Sequence, residues 1–315
     1  MLKERQGEPV LRDYPYLFRA LVACSISACV TSSYGGDFAS ASITHSKARA
    51  KPIEQPRELR VISGPHQIDG YAVELLNRII DNERYRLSII PMGVTQKRAL
   101  EQMDRKRSDI FWAPTTIALE ERLQAVYFPV FKGLLGYRIF LIPSGTQQKF
   151  SAIENIEQAR GLIYGQMSSW TDTRILIHNQ FKVLTTPTYH SLFPMLAKQR
   201  FDAVPRGIFE PWNELASHRE LGLAVEQELA FSYTLPFYFF VRKDEKELAN
   251  MLYDGLNAYL NSGKFDQYLF EHDLVRHNLE RANLHNRRIF YLQNPELSEQ
   301  TPLDKDYYWY RVNTH

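Results

Sequence analysis

A chain of 315 residues with 44% hydrophobic composition can bury one large or two modest cores. Its 38 basic and 36 acidic side chains leave a formal net charge of +2 with no polybasic stripe, which excludes the electrostatic footprint of a nucleic-acid binder. Both cysteines, Cys24 and Cys29, lie near the start. A thiolate nucleophile, a Cys-based zinc site and a Cys-ligated cluster are therefore excluded from everything that follows.

Residues 1–41 read as a leader. The apolar, charge-free run Ala20 to Val30 follows Arg19, with Lys3, Arg5 and Arg12 upstream and the small residues Ala39-Ser40-Ala41 downstream. A basic start, a short apolar core and a small-residue exit describe a secretory signal, and the run is too short to span a bilayer. Two exits compete: Ile26-Ser27-Ala28-Cys29 resembles a lipobox that would leave Cys29 lipidated, whereas cleavage after Ala41 would release a soluble protein. The competing readings are a polar tail with a chance apolar run and a short disulfide between the two cysteines. Residues 42–56 are polar and contain proline, which reads as a linker.

From Leu59 onward short apolar runs alternate with amphipathic stretches. Strands are predicted at 59–63, 87–90 and 109–112, with a helix that places Ala72, Leu75, Leu76, Ile79 and Ile80 on one face and another over 95–107. Tyr137 to Ile142 is a strong strand closed by Pro143-Ser144-Gly145, after which the alternation restarts. Strands at 161–164, 182–185 and 201–204 frame helices at 171–179 and 189–199. Phe237 to Val241 is another apolar strand, followed by an amphipathic helix carrying Leu248, Leu252, Leu256 and Leu260. Strand–helix alternation argues for parallel βαβ units. Two such blocks bracketed by two long strands predict two lobes with two crossovers: lobe 1 at 57–142 and 233–275, lobe 2 at 143–232, and a C-terminal extension at 276–315. That extension, with its predicted strand Arg287 to Leu292, reads as a strap packed on a lobe or, alternatively, as a partner-docking patch. Hinges are expected near 142–144 and 232–236.

The order of segments resembles the family 3 solute-binding proteins of bacterial amino-acid uptake systems. The resemblance rests on Gly70-Tyr71-Ala72-Val73-Glu74-Leu75-Leu76, on Ser108-Asp109-Ile110, and on Thr115 to Phe128 followed by Pro129. It also rests on Gln199-Arg200-Phe201-Asp202-Ala203 and on Leu260 to Phe265. It implies an α/β, two-lobed type II periplasmic binding protein-like fold with two interlobe crossovers. The implied function is capture of a small polar or anionic, amino-acid-like solute for an ABC-type membrane permease, by a periplasmic monomer without cofactor or metal and without catalysis. The alternative is a ligand-sensing or scaffolding protein with a degenerate cleft. An enzyme on this fold has only analogy behind it, since no phosphate loop, nucleophile elbow or paired-His helix is present.

In such a fold the ligand lies at the carboxyl ends of the strands. That places His66, Trp112, Thr115 and Thr116 on the first lobe and Ser168, Ser169 and Trp170 on the second. The resemblance implies that Arg122 grips a ligand carboxylate, although Leu119 stands where the family commonly has threonine and the loop is about one residue longer. The family's second-lobe aspartate, partner of a ligand ammonium, is missing from Val204-Pro205-Arg206-Gly207. Glu210 could substitute for it. Arg206 either favours a more acidic or non-amino ligand or is a solvated turn residue.

Expressed in a bacterium with its full sequence, the protein is expected to leave the cytoplasm. If Cys29 is the lipidated residue, Cys29→Ala moves it from membrane to soluble fraction, because each buried CH₂ of an acyl anchor contributes about 0.8 kcal/mol. Fractionation and mass spectrometry of the mature N-terminus check both, and full-length protein confined to the cytosol would sink the leader reading.

Overall fold

The computed structural model describes residues 55–64, 66–91 and 96–312, within the compact unit Ile53–His315. The leader, Cys29 and most of the linker lie outside the described residues. The first half of the chain runs β1 (Arg57–Ser63), α1 (Gln67–Ile79), β2 (Tyr85–Pro91), α2 (Gln96–Asp104), β3 (Ile110–Pro114), α3 (Ile117–Arg122) and β4 (Gln124–Val126). There follow β5 (Tyr137–Pro143), α4 (Gln147–Ser151), α5 (Ile156–Arg160), β6 (Ile163–Met167), α6 (Thr171–His178), β7 (Lys182–Thr186), α7 (Tyr189–Ala197) and β8 (Val204–Gly207). The remainder is α8 (Pro211–Ser217), β9 (Leu223–Val225), β10 (Leu229–Ser232), β11 (Phe237–Val241), α9 (Lys246–Asn261), α10 (Lys264–Glu271), α11 (Asp273–Ala282) and β12 (Arg288–Tyr291).

The first lobe is a five-stranded sheet in the order β2-β1-β3-β11-β4. β1 pairs in parallel with β2 from Arg57↔Tyr85 to Ser63↔Pro91, and β11 returns antiparallel beside β3. α1 buries Tyr71, Ala72, Leu75, Leu76 and Ile79, the helical spacing that the sequence carries. Asp109, only 2% exposed, holds these strands together: it accepts from the Arg60 backbone N–H at 2.9 Å, from Arg60 Nε at 2.9 Å and from Arg242 Nη1 at 3.1 Å.

The second lobe centres on β5, every residue of which is buried. Its sheet runs β12-β10-β5-β8, with β9 also on β5, and the β6-β7 pair reaches β8 through a parallel bridge, Tyr164↔Ala203. At that approach Gly165 is required, since a Cβ there would stand 2.3 Å from the Phe201 ring. The expected boundary at 142/143 is thereby corrected: β5 pairs with β8 through Arg138↔Gly207 and with β10 through Phe231↔Arg138, so the crossovers fall at 127–136 and 233–236. A uniformly apolar run states that a strand is central but not which sheet owns it. The expected hinge at 142–144 lies inside the sheet, with Ile142 opposite Ala224.

The C-terminal extension contacts both lobes. β12 adds in parallel to β10, and beside it Arg287 and Glu226, 1% and 0% exposed, pair at 3.2 Å. The pair is satisfied all round: Glu226 accepts from the Leu229 N–H at 2.7 Å and Gln147 Nε2 at 2.8 Å, while Arg287 Nε donates to the Ala282 carbonyl at 2.6 Å. The chain then returns to the first lobe. The Ile117 N–H donates to the Glu296 carbonyl at 3.1 Å, Tyr308 packs against Phe128 at 4.9 Å, and the Tyr310 N–H donates to the Lys132 carbonyl at 2.7 Å. Among the described residues no helix is long and apolar enough to cross a membrane.

Burial alone would raise the Asp109 pKa, but the hydrogen bonds from Arg60 and Arg242 outweigh it and hold the carboxyl below its ordinary range. A folded-state pKa below the unfolded one contributes stability that is present above about pH 4 and lost as pH falls below it. Asp109→Asn is expected to cost about 3 kcal/mol at pH 7. The gap to the parent protein should narrow at pH 3 in urea unfolding; a gap independent of pH would show that no charge-linked stability resides there.

Candidate ligand cleft

Between the two sheets lies a cleft of about 820 Å³. Its first-lobe wall is made by the end of β1, the start of α1 and the end of β3. Asp69, in the first turn of α1, accepts from the Gly64 N–H at 3.0 Å and from Trp112 Nε1 at 2.7 Å. The carboxylate is favoured at a helix N-terminus and fixes the Trp112 ring against the cleft. His66 sits at the cap position of α1 without a side-chain cap bond and remains exposed at the rim.

The second-lobe wall is a network of buried charges. Arg206 at the end of β8 is 6% exposed. Its Nε donates to both Glu214 oxygens at 2.8 and 2.9 Å, its Nη2 donates to Glu210 at 2.6 Å, and its guanidinium stacks over the Trp170 ring at 4.4 Å. The Tyr189 hydroxyl donates to Glu214 at 2.7 Å, and the Gly207 N–H to Glu210 at 2.7 Å. Behind them Arg138 on β5 contacts Asp172 at 2.8 Å, donates to the Tyr233 hydroxyl at 2.7 Å and lies 3.6 Å from Glu210. The Tyr233 hydroxyl in turn donates to Asp172. Gly207 leaves room for this, because a Cβ there would stand 2.6 Å from Arg138 Nη1. Burial by itself would lower the pKa of each arginine, but Glu210 and Glu214 around Arg206, and Asp172, Tyr233 and Glu210 around Arg138, raise both above the ordinary value. Both therefore stay charged. The Tyr189 phenol is pushed up by burial and then by Glu214, so it remains a donor.

Of the residues predicted from sequence, His66, Trp112, Trp170 and Arg206 line this cleft together. Thr115, Thr116, Arg122, Ser168 and Ser169 are not among its lining. Thr115 is buried and donates to Glu120 at 2.5 Å; Thr116 caps α3, accepting from the Leu119 N–H at 3.2 Å. Ser168 and Ser169 are exposed on the turn after β6. Arg122, expected at the ligand, lies away from this lining: its guanidinium pairs with Asp104, and its side chain is 43% exposed. Helical phase contributes, for α3 buries Leu119 and Glu120, and Arg122 lies about 110° round the axis from the middle of that pair. Arg206 is likewise no solvated turn residue, since Glu210 and Glu214 enclose it. Sequence reasoning missed Asp69, Tyr189, Glu214 and Phe209. The available signal was the regular interval Arg206, Glu210, Glu214, which the structure turns into one ion cluster.

Two sheets joined by crossovers around one cleft define a two-lobed binding protein. The chain belongs to the bacterial extracellular solute-binding proteins, family 3, whose pattern matches residues 54–271. No curated protein matches the sequence. Among solved structures, a putative ABC-transporter binding component from Wolinella succinogenes complexed with lysine is similar at 15% identity and TM-score 0.50, covering 68% of this chain and 94% of that one. An amino acid ABC transporter substrate-binding protein from Streptococcus pneumoniae bound to L-arginine is similar at 14% identity and TM-score 0.50, over 68% of this chain and 92% of that one. At these identities the likeness shows the fold.

Arg122→Ala should leave the unfolding free energy within about 1 kcal/mol of the parent, as expected for an exposed ion pair. It should also leave solute affinity unchanged in calorimetry. A loss of affinity of tenfold or more would put Arg122 back at the ligand.

Proposed function

We propose that this protein captures a small polar, amino-acid-like solute between its lobes and presents it to an ABC-type permease. It acts in the periplasm as a monomer, either anchored through a lipidated Cys29 or released after Ala41. The observation that carries the reading is the cleft itself: about 820 Å³, with aromatic rings and ordered polar groups contributed by both sheets. Family membership supports it, as do the lysine and arginine held by the two similar folds. The reading is one of binding and not of catalysis. Asp69 is tied to Trp112, and Glu214 to Arg206 and Tyr189, so these carboxylates serve as fixed acceptors rather than as a free general base.

Closure would shift an existing equilibrium by the ligand's preference for the closed arrangement. One specific observation favours a sensing role as the second reading: the strap of residues 276–312 is bonded to the second sheet and, on the first lobe, to α3 and the crossover at Lys132. Calorimetry and thermal unfolding against amino acids, amines and dicarboxylates test the proposal. A cognate solute at 100 times its Kd stabilises the fold by about 2.7 kcal/mol. No shift with any polar metabolite would overturn it.

A further inference from the structure

The charges facing the cleft are unequal. Among its described lining residues three carboxylates, Asp69, Glu210 and Glu214, stand against one guanidinium, Arg206. That guanidinium is already occupied: Nε and Nη2 are bonded to Glu214 and Glu210, one face lies on Trp170, and the residue is 6% exposed. A ligand carboxylate gripped at Nε and Nη2 would have to displace Glu214 and Glu210, and Glu214, 6% exposed, would then be left buried without its partner. Arg122 is held by Asp104 outside the lining. The first-lobe wall in turn offers Asp69, whose oxygens are ordered by Trp112 Nε1 and the Gly64 N–H while the side chain stays part-exposed to the cleft. An ionised carboxylate accepting two hydrogen bonds retains lone pairs for a further donor. The aromatic rings of Phe111, Trp112, Tyr189, Phe209 and Phe237 also line the cleft and suit an apolar or planar body behind a charged head.

We infer that the cleft is built for an organic cation, an ammonium or guanidinium on an apolar or planar body, received at Asp69, and that it has no requirement for a carboxylate on the ligand. The inference rests on the solute-binding reading above and narrows it. Arg206 acts inside the protein as the cation of the second wall, bonded to Glu210 and Glu214 with Arg138 3.6 Å behind Glu210, and Asp69 is the acceptor that the first wall presents to the ligand.

Matched pairs differing only in the carboxylate provide the test: agmatine against arginine and cadaverine against lysine, with glutamate and succinate as anions, by calorimetry on the full mature chain. The expected result is that each decarboxylated amine binds as tightly as its amino acid, to within threefold, or more tightly. The anions should bind at least 100-fold more weakly, and amine affinity should fall as salt is raised. Asp69→Asn should weaken amine binding tenfold or more while circular dichroism shows the parent fold. An amino acid that binds more than threefold tighter than its decarboxylated partner would overturn the inference, as would preferred binding of glutamate, succinate or a neutral solute. In those cases the solute-binding reading stands. Absence of binding by any solute overturns both. If Asp69→Asn does not fold, the matched pairs and the salt dependence of the parent protein decide.

Discussion

Arg206 sits in a place where an unpaired guanidinium could not stay. Leaving such a charge buried without a partner costs several kcal/mol, and the structure meets that demand with two carboxylates and an indole face. Much else is arranged around this. Glu210 at the start of α8 and Glu214 in its first turn direct that helix toward the end of β8. Trp170, capping α6, is held as the stacking partner, and Tyr189, opening α7, hydrogen-bonds to Glu214. Gly207 keeps the space through which Glu210 meets Arg138. Three helices and two strands thus converge on one ion cluster that forms the second-lobe wall.

The same cluster links the wall to the crossovers. Arg138 lies on β5, the strand that follows the first crossover, and its partner Tyr233 begins the second. A chain of hydrogen bonds and ion pairs therefore runs from the cleft to the segments about which the lobes would turn. Such contiguity is a physical route for coupling, while coupling itself requires two states that both ends bias.

The strap adds a second constraint on motion. In a two-lobed clamp with only two crossovers, closure meets little resistance. Here a third connection is anchored in the second sheet by β12 and the fully buried Arg287–Glu226 pair, and on the first lobe by Tyr308 against Phe128. Rim contacts also bridge the cleft, with Asn213 Nδ2 donating to Gln67 at 3.3 Å. Movement of the lobes must work against these bonds, so the strap is a natural place to tune the open–closed equilibrium.

The alternation of apolar runs and amphipathic stretches was enough to read an α/β chain with two blocks. The 3.6-residue spacing of Leu75, Leu76 and Ile79, and of Leu248, Leu252 and Leu256, located α1 and α9, because burial of one face is written directly into the order of residues. Residues at strand ends, Trp112 and Arg206, and those at helix starts, His66 and Trp170, could be named from the order of elements and line the cleft. Three things could not be read there. β5 is apolar throughout, so its sheet was decided only by its hydrogen-bond partners 204–207 and 231–232. Arg122 looked like a carboxylate grip, but a six-residue helix whose phase is set by Leu119 and Glu120 turned it outward. The charge balance of the cleft depends on Asp69, far from Glu210 and Glu214 in the chain, and on whether Arg206 is free or enclosed. Pairing of that kind is a property of distance, which only the folded chain defines.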